Sequence, residues 1–524
     1  MADRFWALSP LDFRYYGGDK RIFDRLYPYV SEDAYIKYQL KVEATLASML
    51  AERDWNVCTK EQASEIIRAC SQVTAEDVYK EEEKVHHIVR ALVNCIQARV
   101  SPQARPYVHL FATSNDITDT ANALRLKDLT INVILPDLVD LERFLISYAK
   151  DYAEVPQIGR THGKHAEPVT FGFYLATYAD RLLGRIRKIV DGAENLRGKF
   201  SGSVGAYNAL SLLDQEDPAL FEKQLLGKLG LRPSDGSVST QIVEPEYVTD
   251  LAFAIISSFS VLANMADDIR HLHRTEIAEV QERYEVQDVG SSTMPHKVNP
   301  RDFEHVKSMW KATMPRMITV FMDQISEHQR DLTNSASGRF LIESFVAFDY
   351  SVVRLASALK KLDVDKKKML SNLKTSKDRI IAEPLYILLA MKGFSEAYNH
   401  VRELVAESGR TGDPLANLMW KDPTIKPILN ELDTYQLAIL EDPSKYVGAS
   451  AQRARVVAQQ AEDEMTMILS RYVPGIIDDK SLTRLRSERR PSYSYMGAVQ
   501  QEVVEANDRL GRHQPAGRSR HEFS

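Results

Sequence analysis

Between Val289 and Arg301 the chain reads Gly290-Ser291-Ser292-Thr293-Met294-Pro295-His296-Lys297-Val298-Asn299-Pro300. Gly and Pro at the two ends mark a loop, in a chain that otherwise reads as long helices. A loop held by a rigid helical scaffold is where catalytic groups tend to sit. Ser291 offers a hydroxyl that could move a proton, and Lys297 a cation that could hold a developing anion. Three further segments carry polar groups in similar settings. His109-Leu110-Phe111-Ala112-Thr113-Ser114-Asn115-Asp116 leads into a long helix. Its Ser/Asn/Asp cluster is a natural N-cap, which accounts for Ser114 or Asp116 taken alone. A helix N-terminus also binds carboxylates through its free N–H groups and dipole. Gly159-Arg160-Thr161-His162-Gly163-Lys164-His165 places a Thr-His pair between glycines ahead of another long helix. A lone histidine is more often structural, but this setting points to a His162 exposed to a cleft. Ser201-Gly202-Ser203-Val204-Gly205 is a small-residue loop that a ligand or a second backbone can approach closely.

These segments need a scaffold of long helices. Apolar residues recur at three- and four-residue steps over residues 43–52, 116–151, 169–199, 247–285, 303–329 and 340–362. Pro136 is expected to bend or break the second of these. No comparable run alternates as a strand does. The expected fold is all-α, with a central bundle of long helices whose ends bring distant segments together. Four regions follow: an N-terminal helical domain over 1–115, the bundle over 116–363, a C-terminal helical domain over 364–475, and a tail or extension over 476–524.

Composition narrows the function classes. The 524 residues include 44% hydrophobic and 27% charged side chains, as in an ordinary soluble protein. A formal net charge of −6 argues against a general nucleic-acid or membrane-surface binder. The N-terminal residues lack the basic-then-apolar order of a signal peptide. The uncharged run Leu251 to Ala266 is too short and too rich in serine for a membrane span and is expected to be a buried core helix. Three widely spaced cysteines, Cys58, Cys70 and Cys95, give neither a disulfide framework nor a zinc motif. His271-Leu272-His273 is a close histidine pair and reads as helix surface or packing. No metal and no cofactor are expected.

The Ser291 loop resembles the GSSxMPxKxNP loop of the fumarase/aspartase superfamily, whose members eliminate fumarate from C–N or C–O bonds. Within it the chain is most similar to the adenylosuccinate lyase family. Ser9-Pro10-Leu11-Asp12-Phe13-Arg14-Tyr15 resembles that family's SPLDGRY opening, and residues 159–172 its GRTHGxHAEPxTFG segment. Thr240-Gln241 and the run from Arg330 to Arg339 resemble further substrate-contacting segments. The resemblance covers roughly residues 7 to 470.

It implies elimination of fumarate from adenylosuccinate and from the succinyl-carboxamide ribotide of purine synthesis. It also implies a cytoplasmic homotetramer with sites shared between subunits. By resemblance Ser291 is the general base and His162 protonates the leaving nitrogen. Lys297 holds the developing anion, His109 binds substrate or tunes His162, Glu304 orients a histidine partner, and His87 occupies a catalytic-site position. Arg14, Tyr15, Arg330, Ser335 and Arg339 would bind phosphate and carboxylate. Thr113, Ser114, Asp116, Thr161, Gln241, Ser292, Met294 and Asn299 complete the substrate contacts. Three residues depart from the family: Phe13 stands for Gly, Ile88 for Asp beside His87, and Val298 for Arg. The alternatives are a carboxymuconate cycloisomerase-like or other fumarate-releasing enzyme, and a catalytically silent structural homologue. An argininosuccinate lyase is disfavoured by Ala112-Thr113-Ser114-Asn115-Asp116. Ser291, His162 and Lys297 together argue against a silent scaffold, which has no need of all three.

Overall fold

The computed structural model describes residues 9–15, 20–284 and 289–472. Ala7-Leu8, Glu285 and the tail beyond residue 475 therefore lie outside the described residues. Long helices dominate. The first of them, α1, is Glu32–Leu50, and α2 is Ile88–Gln97. Next, α3 (Ser114–Leu129) runs through a π-helical turn at Thr130–Ile134 into α4 (Leu135–Asp151). Pro136 sits in the first turn of α4, directly after that π turn, so the rod loses one N–H donor there. The wider π turn just before it takes up the clash that a proline ring makes with the preceding carbonyls, so the rod continues.

A hairpin follows. Strand β1 (Pro156–Thr161) pairs antiparallel with β2 (Lys164–Thr170) and leads into α5 (Phe171–Glu194). The sequence pattern had hidden these strands. The register shifts between Ile158 and Arg160, so strict alternation is lost. At Gly159 a Cβ would lie 2.6 Å from the Glu167 carbonyl oxygen, which explains why glycine stands there.

Helix α6 is Glu246–Leu272. It has no internal Gly or Pro, and it buries Leu251, Ile255, Phe259, Leu262, Met265 and Ile269 at helical spacing. About 67% of its most apolar window is buried inside the bundle. Helices α5 and α6 approach closely at Gly192, where a Cβ would meet the Leu251 Cα at 3.1 Å. Arg270 and His271 in the last turn suit the negative end of the dipole.

Strand β3 (Val280–Glu282), not helix, follows α6. The run expected as one helix over 303–329 is two: α7 (Arg301–Thr313) and α8 (Arg316–Met322), separated at Pro315. Helix α9 (Ser337–Lys360) returns along the bundle to β4 (Leu362–Val364), which pairs antiparallel with β3. A last long helix, α10 (Ser450–Tyr472), packs back on α4 and α5.

Among the described residues, three large buried apolar clusters and two small ones are distributed along this path. One uses residues between Ile36 and Val108, the largest fills the bundle, and a third uses residues between Ile381 and Leu440. Replacing a fully buried bundle residue such as Phe259 by Ala costs about 3–5 kcal/mol.

Candidate active site

The Ser291 loop is closed at its base by backbone and side-chain bonds. Asn299 Nδ2 donates to the Gly290 carbonyl at 2.6 Å, and Tyr284 Oη donates to the Asn299 carbonyl at 2.8 Å. The Asn299 N–H donates in turn to Tyr284 Oη. Asn299 thus holds the loop shut with the amide expected to reach substrate. Within the loop, Ser291 Oγ accepts N–H bonds from Met294 at 3.0 Å and Thr293 at 3.3 Å. Two amide dipoles aimed at one hydroxyl oxygen favour negative charge on it. Ser292, Met294 and Lys297 are exposed around Ser291.

Glu304 lies exposed on the first turn of α7. Among the described residues no hydrogen bond joins it to a histidine. Its neighbour His305 instead meets Tyr15: the rings stand edge to face, centroids 5.2 Å apart, and Tyr350 packs on both. Burial, with Arg354 and Arg14 nearby, pushes His305 down to about 4, so it is neutral at pH 7. Arg14 itself is exposed at the C-cap of the one-turn helix Pro10–Phe13.

His162 and Gly163 form the two-residue hairpin loop, with φ of 52° and 73°. Positive φ at both positions is the turn that matches strand twist. It carries Thr161 and His162 into solvent at the hairpin tip. The base is anchored: Arg160 Nη2 pairs with Glu279 Oε1 at 2.5 Å, and Gln157 and Asn372 also donate to Glu279.

His109, His87 and Ser114 meet around a cavity of ≈ 330 Å³, together with Val89, Arg90 and Val93. His109 has φ 62°, and its Nδ1 is 2.6 Å from Glu43 Oε1. Burial opposes the charged imidazole, but the bond and charge of Glu43 outweigh it and lift His109 above the ordinary histidine range. Nε2 is the ring nitrogen left for a ligand. His87 caps α2: its Nδ1 accepts the Arg90 N–H at 3.2 Å. Ile88 offers no carboxylate to turn that ring, so the cap bond does so.

Ser114 opens α3 after the N-cap Thr113. Asp116 is fully buried. One oxygen accepts the Thr113 N–H at 2.8 Å, and the other meets Lys199 Nζ at 2.5 Å and Gly202 N–H at 3.3 Å. Asp116, expected to contact substrate, has protein partners on both oxygens and fixes the helix start that presents Ser114. The same bonds place the small-residue loop Ser201–Gly205 beside α3.

Gln241 lies against the Arg330 segment through its N–H to the Gln329 carbonyl, 3.3 Å. Arg330 takes φ 146°, rare outside glycine. Its charge reaches Asp119, which burial raises to about 6 despite the Val243 N–H it accepts. Ser335 and Arg339 are exposed just downstream.

The expected residues therefore form four groups: the Ser291 loop with Glu304 and the Arg14–Tyr15 segment, the hairpin tip, the His109 cavity, and the Gln241–Arg330 strip. Among the described residues no hydrogen bond or ion pair joins the Ser291 loop to His162 or His109. Glu43, Lys199, His305 and Arg90 were not singled out from sequence. Glu43 sits 66 positions from His109, and Lys199 is 83 from Asp116, with no local signal to join them. Among the described residues no group of three His, Cys, Asp or Glu could hold a metal. His273 is half-buried at the C-cap of α6, where desolvation lowers its pKa.

This helical scaffold with polar loops at helix ends is an all-α, fumarase-like fold. A fumarate lyase from Mesorhizobium sp. BNC1 superposes with a TM-score of 0.72 at 21% identity, covering 83% of this chain and 97% of that one. The 3-carboxy-cis,cis-muconate lactonizing enzyme of Pseudomonas putida gives 0.72 at 24% identity, covering 88% and 100%. A lyase family model matches residues 20–313, and an adenylosuccinate lyase C-terminal model matches residues 326–438. The adenylosuccinate lyase of Pyrococcus abyssi is 34% identical over 465 residues, 87% of this chain and 98% of its own length. That of Pyrococcus horikoshii is 33% identical over the same span. The N-acetyl-S-(2-succino)cysteine lyase of Enterococcus italicus is 30% identical, covering 81% of this chain and 91% of its own length. The chain belongs to the adenylosuccinate lyase family.

Proposed function

We propose that this protein cleaves adenylosuccinate to AMP and fumarate, and the succinyl-carboxamide ribotide of purine synthesis in the same way. The observation that carries the chemistry is the setting of Ser291. Its Oγ receives two amide N–H bonds on a loop tied shut by Asn299 and Tyr284. A serine is a poor base at neutral pH, and fixed donors plus the nearby Lys297 cation make its alkoxide accessible.

Ser291 Oγ removes the proton from the carbon beside one succinyl carboxylate. The electron pair moves into that carboxylate, and Lys297 with loop amides stabilises the dianion. The C–N bond then breaks as the C=C bond forms, and the leaving nitrogen takes a proton from His162. His109, Ser114 and His87 bind the substrate, with Thr113 and Asp116 setting the helix start. Arg14, Tyr15, Gln241, Arg330, Ser335 and Arg339 hold its anionic ends, for which arginine forks fit well.

Four groups of site residues on separate loops support a homotetramer whose sites are shared between subunits. So does the exposed apolar face of Phe253, Ile318, Phe321, Met322 and Phe340. Three free, buried thiols, Cys58, Cys70 and Cys95, support a cytoplasmic setting.

The test is direct. Pure protein mixed with adenylosuccinate in the presence of a chelator should release AMP and fumarate, read by absorbance and chromatography. Intact adenylosuccinate after prolonged incubation would overturn the reading. Activity that vanishes with chelation and returns with a divalent ion would overturn the metal-free mechanism. N-acetyl-S-(2-succino)cysteine serves as the competing substrate, since it lacks the nucleotide that the Arg14 and Arg330 groups are proposed to hold.

A further inference from the structure

Helix α2 opens against its own electrostatics. The first turn of a helix carries the positive end of the dipole and favours acidic side chains. The third position often holds a residue that reaches back to the N-cap N–H. In α2 the N-cap is His87, the third position is Arg90, and the first turn has no acid. By contrast, Asp116 fills that position in α3 and bonds back to Thr113. Arg90 has no local reason to be a cation.

Its side chain is also poorly occupied. The guanidinium makes one long hydrogen bond, Nη2 to Gln97 Oε1 at 3.4 Å. Among the described residues it has no ion-pair partner. It lines the ≈ 330 Å³ cavity with His87, His109 and Ser114, over an apolar floor of Val89 and Val93. Among the described residues no carboxylate lines that cavity. The N-termini of α2 and α3 both open there, through His87, the N-cap of α2, and Ser114, the first residue of α3. The Arg90 charge is felt at His109, where it opposes the imidazolium. The cavity gathers a guanidinium without an ion-pair partner among the described residues, a histidine backed by Glu43, and two positive helix ends. An anion relieves their mutual repulsion.

We propose that Arg90 is a substrate-binding residue that grips an oxyanion of the succinyl nucleotide in this cavity, an inference that rests on the adenylosuccinate reading. A guanidinium fork takes two oxygens of one phosphate or one carboxylate. The two sources share this chemistry, and the experiment separates them.

Full-length Arg90→Gln and Arg90→Lys are compared with wild type for kcat and KM on adenylosuccinate, and for inhibition by AMP and by fumarate. Arg90→Gln should lower kcat/KM by about tenfold to a hundredfold, mainly through KM, the scale of one charge-assisted hydrogen bond. Arg90→Lys should recover part of the loss. The ligand-free Arg90→Gln protein should melt no lower than wild type, because a cation has left the positive end of a helix. A phosphate contact weakens inhibition by AMP and leaves fumarate unchanged; a carboxylate contact does the reverse. A kcat/KM within twofold of wild type overturns the proposal. So does an equal loss in both variants with a lowered melting temperature, which marks a structural arginine. If wild type leaves adenylosuccinate intact, the lyase reading fails instead. The rise in melting temperature that AMP or fumarate gives wild type then tests Arg90, and an undiminished rise in Arg90→Gln overturns its role.

Discussion

Gly290 and Lys297 touch backbone to backbone across the mouth of the serine loop. A methyl group added to Gly290 would overlap the Lys297 carbonyl oxygen and crowd the Tyr284 ring. A carbonyl in a closed loop cannot swing aside as the end of a side chain can. Gly290→Ala is therefore expected to force the loop open, moving Ser291 and Lys297 relative to each other. Displacements of about 1 Å in a catalytic group cost roughly 10²-fold in rate. The expected result is a kcat lowered by about that factor. The melting temperature should barely move, since the loop is exposed and outside the bundle core. Wild-type kcat in Gly290→Ala would mean that the closed loop is not the working state.

Ser291→Ala should keep KM near wild type and lower kcat by about 10²–10⁴-fold, the scale of lost general base catalysis. Ser292 is exposed, and the two amide bonds found here are made to Ser291. Ser292→Ala should therefore matter less. Single-turnover measurement of fumarate release on both variants checks this, and a larger loss in Ser292→Ala would exchange their roles.

The Glu43–His109 pair gives a pH signature. His109 is raised above its unfolded value, so its charged form contributes fully below about pH 6.5 and is lost as pH rises through the folded value. Glu43→Gln removes the carboxylate that holds the proton. Asp116 also favours the charged ring and Arg90 opposes it, and neither is changed by this substitution. The alkaline limb of substrate affinity should move toward lower pH in Glu43→Gln. A limb at the same pH in both proteins would assign it to another group.

His305 predicts the opposite sign, in stability. Its folded value of about 4 lies below the unfolded value of about 6.5. Below that unfolded value the unfolded chain takes up a proton that the folded ring refuses. Stability is full above about pH 6.5 and falls as pH drops toward 4. The ring is half-buried between Tyr15 and Tyr350, so solvent screening reduces the effect to about 1–2 kcal/mol. His305→Asn should flatten this part of the profile. Urea midpoints measured for both proteins between pH 4 and 7 check it; parallel profiles would exclude His305.

Much of the scaffold was legible because long helices write their buried face every three or four residues. Helix α6 shows it from Leu251 to Ile269. Breaks were harder. Pro136 and Pro315 look alike in sequence, yet a π turn carries the first rod onward while the second divides into α7 and α8. The hairpin bearing His162 escaped notice because the bulge at Gly159 cancels its alternation. Loop residues were found through their motif, but their partners were not. Glu43 reads as one more polar residue on α1, and only folding brings it to His109. Asp116 shows the converse: it stands in a substrate motif, and its oxygens turn inward to Lys199 and Thr113.

The last prediction concerns assembly. Ile318, Phe321 and Met322 on α8, Phe253 on α6 and Phe340 on α9 are all about half exposed or more. Each large apolar side chain left in water forgoes about 1.5–3 kcal/mol of burial. A second copy of the chain is proposed to cover them. Ile318→Asp should therefore give smaller species in light scattering and lose activity, while keeping helical circular dichroism. Shared sites make a stronger demand. His162→Ala and Lys297→Ala are each expected to be inactive. If the two residues reach one site from different chains, mixed oligomers contain sites with both wild-type groups. With equal amounts and random exchange that is about a quarter of all sites, since each of two chains must be the right one of two kinds. Mixing after mild dissociation should restore activity toward that fraction. No recovery despite proven subunit exchange would put both residues on one chain, and a monodisperse, fully active monomer would refute the shared site altogether.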